Sequence, residues 1–437
     1  MKKTFKGGII INEHKNTEGF AIDRAFSPSR VIIPMSQHIG APCTCTVKKG
    51  DTVKRGQLIG AAADGLSCPV HSSVSGTVTD ICDIIAANGK KTVNVVIEND
   101  GLNTPCEETT TRDYKTMSAE EIVEAVRMAG ISGLGGATFP TYAKILSALG
   151  KVDTLIINCS ECEPYITANH RLMLEEPERI LEGARILLHA LGLKTALFGI
   201  SDNKPDAIKL IKELVKDDES FKVEVLKTKY PQGDERQLIY ALTKRRVPVG
   251  KLPADVGCVV FNPETVAAVE NAVAKGEPLI EKIVTVDGDC IENPRSVKVP
   301  IGTEYKALLE YCGCTSESPR QIISGGTMMG FTVWTLDTSV SKGCSSILVF
   351  ENESMKIGPE GACIRCGKCV LACPMRLMPS YIAQYARKDM LDEAEKLGAR
   401  ACVECGSCSY VCPAKIHLSQ YVRTAKAKIL AKTRRTK

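Results

Sequence analysis

The order of apolar and polar positions divides the chain into strand-like and helix-like segments. Strand-forming residues alternate with turn signals at 45–60 and again at 72–81, which predicts a β-rich start. From about 118 to 278, short apolar runs alternate with stretches of helical period. The runs lie near 154–157, 195–199, 222–226 and 257–261, and the helical stretches near 178–191, 205–216, 235–244 and 264–274. This alternation predicts an α/β layer with a mostly parallel sheet.

The remaining sequence changes pattern twice. Residues 280–350 return to strand patterns with one helix near 304–311, which is typical of a small β-grasp domain. In the last segment Pro379 begins one helix, and Asp389 is predicted to cap another. We therefore predict four domains, with boundaries at 1–110, 111–278, 279–352 and 353–437.

The β-rich start resembles the flattened barrel-sandwich of biotinyl and lipoyl carrier domains. A carrier needs a lysine at the hairpin tip between its two halves, and residues 60–71 contain none. A structural or partner-docking role is therefore predicted for this domain. Cys68 and His71 form a Cys-x2-His pair without a second pair, which favours packing over metal binding.

Composition and charge narrow the class of protein. The net charge is +5, but residues 415–437 hold eight Lys and Arg and no acidic residue, which leaves the rest of the chain at −3. Such a tail predicts a solvated terminus, with docking on anionic lipid or an acidic partner as the alternative. Sparse aromatic residues near it disfavour nucleic acid. Apolar runs fall far short of the roughly 20 residues that a membrane-spanning helix needs. No apolar segment follows the opening charges, so the sequence does not predict a signal peptide, and a reducing cytoplasm is the predicted compartment.

Eight of the twenty cysteines fall in two identical spacings near the end of the chain. Both follow the C-x2-C-x2-C-x3-C-P run of bacterial [4Fe–4S] proteins, in which the fourth cysteine binds the other cluster. The predicted ligands of one cluster are Cys363, Cys366, Cys369 and Cys412, and those of the second are Cys402, Cys405, Cys408 and Cys373. A structural zinc site is the alternative, although it usually has paired C-x2-C knuckles with a long gap. The runs are offset by 39 residues and share six of twelve positions, so this domain is an internal repeat that predicts electron transfer.

A second candidate site is the glycine-rich stretch 130–144. Ser118 and Glu121 predict a capping box for a helix that stops at Gly130. Gly130, Gly133, Gly135 and Gly136 free the backbone to approach a phosphate or a flat ring. Because a helix and not a strand precedes it, the stretch does not fit a Rossmann fingerprint, and a plain inter-helix turn is the alternative.

Four motifs in order carry a family resemblance. The segments 133–141, 158–164, 230–235 and 262–265 resemble the FMN- and NADH-binding motifs in the flavoprotein subunit of respiratory complex I. Together with the opening segments 5–8 and 36–42, the carrier-like domain and the twin cysteine runs, they resemble the RnfC family over nearly the whole chain. The resemblance implies a multidomain α/β fold: a β-rich barrel-sandwich N-domain, an α/β flavin-binding domain, a β-grasp (SLBB-like) domain and a helical two-[4Fe–4S] ferredoxin domain.

The resemblance also implies a set of binding residues. Those implied to line FMN are Gly133, Gly135, Gly136, Ala137, Lys144, Asn158, Glu161, Tyr230, Gly233, Glu235 and Asn262, and those implied to face the nicotinamide nucleotide are Phe139 and Glu163. A lysine suits phosphate or flavin ring charge, and a phenylalanine suits stacking on a flat base. The chain has Ser160 and Cys162 where the complex I pattern has an acidic residue and a serine. The resulting Cys159-x2-Cys162 pair is interpreted as isolated buried thiols.

The implied function is an NADH-dependent oxidoreductase subunit that uses FMN, NAD(H) and two [4Fe–4S] clusters. In the Rnf complex it would pass electrons between NAD(H) and a ferredoxin-type iron–sulfur subunit, at the cytoplasmic face of the membrane and beside membrane subunits. Two alternatives stay open: a related flavin/iron–sulfur reductase that feeds proline reductase or a microcompartment cobalamin reductase, and a non-catalytic electron wire that has lost its nucleotide site.

Overall fold

A computed structural model describes residues 2–106, 111–316, 319–351 and 358–435. The N-terminal strands are β1 (Arg30–Pro34), β2 (Thr44–Cys45), β3 (Thr52–Val53), β4 (Leu58–Ala61), β5 (Val70–His71), β6 (Gly76–Ile85) and β7 (Lys91–Asn99). They form two facing sheets, in the order β1-β7-β6-β3 and β2-β4-β5. Apolar residues such as Val31, Ile59 and Val95 fill the space between them, which gives the expected barrel-sandwich.

The second domain is an α/β layer. Its helices are α1 (Ala119–Met128), α2 (Thr141–Ala148), α3 (Ala168–Glu175), α4 (Pro177–Leu191), α5 (Pro205–Leu214), α6 (Glu235–Thr243) and α7 (Pro263–Glu270), and its strands are β8 (Thr154–Cys159), β9 (Ala196–Ser201), β10 (Phe221–Leu226) and β11 (Cys258–Phe261). All four strands are parallel, in the order β10-β9-β8-β11. The Ser118–Glu121 capping box forms as predicted, with each residue bonding the other's backbone.

The order of the parallel strands fixes where a ligand can bind. From β8 the chain moves outward through β9 to β10, and then returns to place β11 on the opposite side of β8. Such a reversal opens a crevice at the carboxyl ends of the two strands where it occurs, and ligands of open α/β sheets bind there. Asn158 lies at the end of β8, and Asn262 follows β11 directly. The fold therefore puts two of the predicted site residues at one edge.

The third domain is a mixed sheet with one helix. Its elements are β12 (Glu281–Asp287), β13 (Arg295–Pro300), α8 (Tyr305–Tyr311), β14 (Gln321–Ser324), β15 (Phe331–Val333) and β16 (Ser346–Phe350). The strand order is β13-β12-β16-β14-β15, with β12 and β16 parallel. The observed helix lies within one residue of the predicted one.

The last domain is helical, with short helices around the cysteine runs. These helices are α9 (Lys368–Ala372), α10 (Pro379–Arg387), α11 (Leu391–Lys396), α12 (Ser407–Tyr410) and α13 (Leu418–Arg435). The prediction that Asp389 caps a helix is wrong, because α11 has Met390 at its N-cap. Asp389 adopts a left-handed conformation (φ 55°) in the turn that ends α10, and its carboxylate pairs with Lys428 at 2.7 Å.

The basic tail is a structural helix, and the prediction of a solvated terminus is wrong for 418–433. One face of α13 buries Leu418, Val422, Ala425 and Ile429 against neighbouring helices. Several of its cations are held by carboxylates elsewhere in the same domain, as the Lys426–Glu404 pair at 2.8 Å illustrates. Within the ranges that the structure describes, no helix combines the length and the apolar character needed to cross a membrane.

Candidate functional site

The glycine-rich loop closes on itself between α1 and α2. Gly133 N–H donates to the Phe139 carbonyl at 2.9 Å, and Thr138 N–H donates to the Gly133 carbonyl at 3.2 Å. Leu134 N–H donates to Thr265 Oγ1 at 2.9 Å, which ties the loop to α7. Phe139 itself is half-buried, at the point where the loop closes.

The tip of the loop is open. Gly135, Gly136 and Ala137 are exposed. Gly136 has a positive φ of 97°, which favours glycine, and a Cβ built on it would meet no atom within 4 Å. A Cβ on Gly135 would lie 3.4 Å from Asn262 Nδ2. Backbone at this tip can therefore approach a bound phosphate or ring beside the Asn262 amide.

Two further pairs of predicted residues meet in the structure. Asn158 Nδ2–H donates to the Gly233 carbonyl at 2.9 Å, which joins the end of β8 to the loop before α6. Lys144 Nζ lies 2.7 Å from Glu235 Oε1 and donates to the Val260 carbonyl at 2.8 Å. Each pair joins sequence segments that are far apart, so the four motifs form one site.

Glu161 has a structural role that its motif did not indicate. Its carboxylate accepts the Asn169 N–H at 2.7 Å and the His170 N–H at 3.2 Å, both at the start of α3. A carboxylate there satisfies free backbone donors and interacts favourably with the helix dipole. The structure thus places Glu161 as the cap of α3, beside the crevice.

Glu161→Gln is expected to lower stability more than flavin affinity. The glutamine keeps one acceptor but loses the charge that faces the helix dipole, a loss of about 1 kcal/mol in the free energy of unfolding. We expect the Kd for FMN to change less than about threefold, because the carboxylate already has two protein donors. Urea unfolding and FMN fluorescence titration check the two parts, with Glu219→Gln in the exposed turn before β10 as control. Unchanged stability with flavin binding weakened more than tenfold would contradict this placement.

Glu163 and Tyr230 connect the crevice to the helical domain. Tyr230 is buried, and its hydroxyl lies 2.8 Å from the Cys405 carbonyl and 3.3 Å from Glu163 Oε1. Met328 N–H donates to Glu163 Oε2 at 3.1 Å. Burial raises the pKa of Glu163 to about 7, against the opposing effect of these hydrogen bonds. This contact places a loop of the second cysteine run directly against a predicted site motif.

Glu163→Gln is expected to stabilise the chain at pH 8 and to have little effect at pH 5. The folded pKa of about 7 lies above the ordinary 4.5, so stability falls as pH rises from the ordinary value through the folded one. The full shift corresponds to about 3 kcal/mol, and partial exposure reduces it to about 2 kcal/mol. Glutamine does not titrate, so the free energy of unfolding of the glutamine variant exceeds that of the unchanged protein by more as the pH rises through this range. Unfolding midpoints of both proteins at pH 5 and pH 8 check this, and an equal difference at both pH values contradicts it.

Four of the eight predicted cluster ligands surround one cavity. Cys373, Cys402, Cys405 and Cys408 all line it, and this is the set predicted for the second cluster. Leu377 N–H points at Cys373 Sγ and Glu404 N–H at Cys402 Sγ, each at 3.3 Å. Backbone donors of this kind stabilise thiolates and tune a bound cluster. In the described part of the chain no group of three His, Cys, Asp or Glu side chains is arranged to hold a single metal ion. The thiols instead enclose a space, which suits a cluster whose ligands bind different atoms.

The other four predicted ligands are less enclosed. Cys363 and Cys366 are exposed, whereas Cys369 and Cys412 are half-buried and, like Cys408 of the other predicted set, pack against the apolar group of Ala383, Ile416 and Leu418. The structure therefore groups Cys373 with three cysteines of the second run, as the exchange of fourth ligands requires, while the placement of Cys412 at the first run stays a prediction.

Several residues that support the site had no signal in the sequence. Lys15 Nζ donates to the Glu161 and Glu163 carbonyls at 3.0 and 2.8 Å and so holds the loop after β8. Gln232 is fully buried, and neither of its amide atoms has a partner within the described residues. Buried polar groups in native proteins are almost always hydrogen-bonded, so the Gln232 amide indicates a polar ligand or a water molecule at this motif. Lys15 lies far away in sequence, and Gln232 lies inside a predicted motif without an assigned role.

A separate cavity of about 530 Å³ lies where the first three domains meet. Arg55, His71, Arg179 and Lys298 are among its lining residues, and none of the predicted flavin or nucleotide residues is. The sequence motifs and the reversal of strand order both indicate the crevice instead. The crevice is therefore the predicted flavin site.

Comparisons with protein families define the class. Residues 126–271 match the Nuo51 FMN-binding domain, 355–413 a 4Fe-4S dicluster domain, 283–332 the SLBB domain and 3–102 the RnfC barrel sandwich hybrid domain. The fold also resembles the NAD+-reducing [NiFe]-hydrogenase in its air-oxidized state, with a TM-score of 0.52, 19% identity, and coverage of 71% of this chain and 61% of that one. The domains and the site define a flavin- and iron–sulfur-containing subunit of an oxidoreductase.

Similar full-length chains specify the family. The chain is 44% identical to a subunit of the Na(+)-translocating ferredoxin:NAD(+) oxidoreductase complex of Acetobacterium woodii, over 99% of this chain and 98% of that protein. It is also 44% identical to a subunit of the proton-translocating ferredoxin:NAD(+) oxidoreductase complex of Clostridium ljungdahlii, over 91% and 87% of the two chains. The chain belongs to the RnfC family. The predicted family, the four kinds of domain and the cofactors FMN and [4Fe–4S] are confirmed, while the domain boundaries and individual binding residues stay predictions.

Proposed function

We propose that this chain is the NADH-handling subunit of an ion-translocating ferredoxin:NAD+ oxidoreductase. Its relatives are named as subunits of ion-translocating oxidoreductase complexes. The observation that carries the proposal is the hydrogen bond from Tyr230 to the Cys405 carbonyl, which joins the flavin crevice to a cluster loop. Partners would be a ferredoxin-type iron–sulfur subunit and membrane subunits, with this chain at the cytoplasmic face of the membrane.

The residues of the crevice fit FMN. Exposed backbone at Gly135 and Gly136 can approach a flat ring or phosphate. The Asn262 side chain lies beside this backbone and caps α7, whose N-terminus favours negative charge. The unpaired amide of Gln232 adds a polar group without a protein partner within the described residues. FMN, when bound, exchanges electrons in pairs with a nicotinamide and singly with iron–sulfur clusters.

The chain's own groups would orient the two reactants and exclude water. Lys144 is held between Glu235 and the Val260 carbonyl, so its charge has a fixed position at the crevice. Phe139, at the closure of the loop, would stack on the nicotinamide nucleotide, and Glu163 would face it. Tyr230, held by Glu163 and the Cys405 carbonyl, would fix the distance between crevice and cluster loop.

Anaerobic reconstitution with iron, sulfide and FMN tests this function. We expect near-stoichiometric flavin, iron for both clusters, and bleaching of the flavin absorbance on titration with NADH. Copurification with membrane subunits would separate this function from that of a related reductase outside a membrane complex. Iron uptake without any flavin binding would refute the proposal and leave an electron wire.

A further inference from the structure

The two cysteine runs differ in their position relative to the rest of the chain. The second run packs on the body, because Cys405 is buried beside Tyr230 and Ile9. Gly8 N–H donates to the Ala372 carbonyl at 2.8 Å, which fixes the segment that carries Cys373. A cluster held by Cys373, Cys402, Cys405 and Cys408 would therefore be proximal to the flavin, and one held by the other four cysteines would be distal.

The first cysteine run is turned toward solvent. All residues from 361 to 368 are exposed. Ile364 is 68% exposed to solvent and Leu371 is 78% exposed, so both offer apolar contact area at the surface. Lys368 and Leu371 are three residues apart on α9 and so share one face of it. Ile364, Arg365, Lys368 and Leu371, here termed the distal surface, combine apolar contact area with positive charge beside the distal cluster.

The charges of the last domain support this reading of the distal surface. The acidic residues among 358–435 all have basic partners, and they are Glu360, Asp389, Asp392, Glu393, Glu395 and Glu404. Among the residues that the structure describes, Arg365 and Lys368 have no carboxylate partner, and no acidic residue lies in the run 361–374. The positive charge around the distal cluster thus has no carboxylate partner among the described residues.

We propose that the distal surface docks an acidic iron–sulfur protein that exchanges single electrons with the distal cluster. This inference rests on the proposed function and adds the site and the charge of its partner. One electron would leave the reduced cluster of the partner and enter the cluster held by Cys363, Cys366, Cys369 and Cys412, with no bond made or broken and no proton moved. Cys363 and Cys366, the exposed ligands of the distal cluster, lie among the residues of this surface. Exposed cluster ligands permit electron exchange with a redox protein but do not contribute to binding an anionic membrane, so a redox protein is favoured.

Electron-transfer complexes have small interfaces, below about 1,200 Å² in total, so charge rather than area governs encounter. Electrostatic steering raises association rates by roughly 10- to 1,000-fold and weakens steeply with salt. Two uncompensated cations beside the cluster would therefore act mainly on the bimolecular rate.

The test measures electron transfer from a reduced, acidic two-[4Fe–4S] ferredoxin to the oxidised, cluster-loaded chain by stopped flow. We expect Arg365→Glu with Lys368→Glu to slow the second-order rate at low salt at least about tenfold, and the difference to vanish near 1 M salt, where the Debye length is about 3 Å. The control is Lys209→Glu with Lys212→Glu, which changes net charge equally on the exposed face of α5 in the α/β domain.

The outcomes separate this proposal from the proposed function. Iron content and flavin bleaching by NADH are measured on each variant, and Arg365→Gln with Lys368→Gln serves where the reversal variant loses iron. A slowed rate with full iron and an unaffected control supports the docking surface. An unchanged rate overturns it, and so does an equal loss of rate in the control. Binding of anionic vesicles that depends on Arg365 and Lys368, without an effect on the ferredoxin rate, also overturns it. Because the ferredoxin assay needs no NADH, a failure of nucleotide binding would refute the proposed function and leave this test valid.

Discussion

Replacing Cys373 with serine is expected to remove the same cluster as replacing Cys405. Cys373 belongs to the first run by sequence, yet it lines a cavity with Cys402, Cys405 and Cys408 of the second. Each variant should lose about half of the iron, since one of two cubane sites is lost. The Cys373/Cys405 double variant should lose no more than either single variant, because both would act on one site. Iron assay and electron paramagnetic resonance of the reduced protein measure this.

The alternative arrangement gives a different result. If each run held its own cluster, the Cys373/Cys405 double variant would lose nearly all iron. Cys373→Ser would then remove the same cluster as Cys369→Ser. Cys82→Ser is the matched control, because Cys82 is half-buried in the N-terminal sheet outside both runs. Reduction of the distal cluster by NADH should be lost in Cys405→Ser, because the proximal cluster links the flavin to the distal one.

Local patterns predicted the α/β layer well because they depend on neighbours along the chain. The predicted run at 154–157 lies within β8, and the predicted helix near 178–191 lies within one residue of α4. Short apolar runs between amphipathic helices leave few options other than a parallel sheet. The crevice then follows from strand order, which places Asn158 and Asn262 together although they are far apart in sequence.

Contacts between distant segments were not predictable in the same way. Nothing local to Glu161 indicates that it caps a helix seven residues later, and nothing local to Tyr230 indicates a bond to the Cys405 carbonyl. The prediction that Asp389 caps a helix rests on its residue type and on the helical spacing of Leu391, Ala394 and Leu397, whereas the turn that ends α10 determines its conformation.

The tail illustrates a different limit. Its buried residues Leu418, Val422, Ala425 and Ile429 recur at helical spacing, so the amphipathic pattern was present in the sequence. The excess of positive charge in the same residues is typical of a solvated terminus, so the charge and the apolar spacing predict different environments for this segment. Deletion of 418–437 would therefore remove part of a core as well as charge, and point substitutions are the sounder test of docking.

Asn262→Asp is expected to weaken FMN binding about 10- to 100-fold without unfolding the site. Asn262 Oδ1 accepts the Glu264 N–H at 2.9 Å as the N-cap of α7, and aspartate preserves this cap. The substitution removes the Nδ2 donor beside Gly135 and adds a negative charge where an anionic cofactor would bind. Loss of a hydrogen bond to a charged group costs roughly 1.5 to 3 kcal/mol, which corresponds to this change in Kd. FMN titration of the apoprotein measures it.

Comparison with Asn262→Ala separates the cap from the cofactor contact. Alanine removes both functions, so it should weaken FMN binding and also lower the free energy of unfolding by about 1 kcal/mol. Asn99→Asp is the control, because Asn99 holds a turn in the N-terminal sheet through its own amide and should leave FMN affinity unchanged. If Asn262→Asp bound FMN like the unchanged protein, the flavin would not lie between the Gly135 backbone and the start of α7. The assignment of the crevice at the ends of β8 and β11 would then be wrong, whatever the iron content showed.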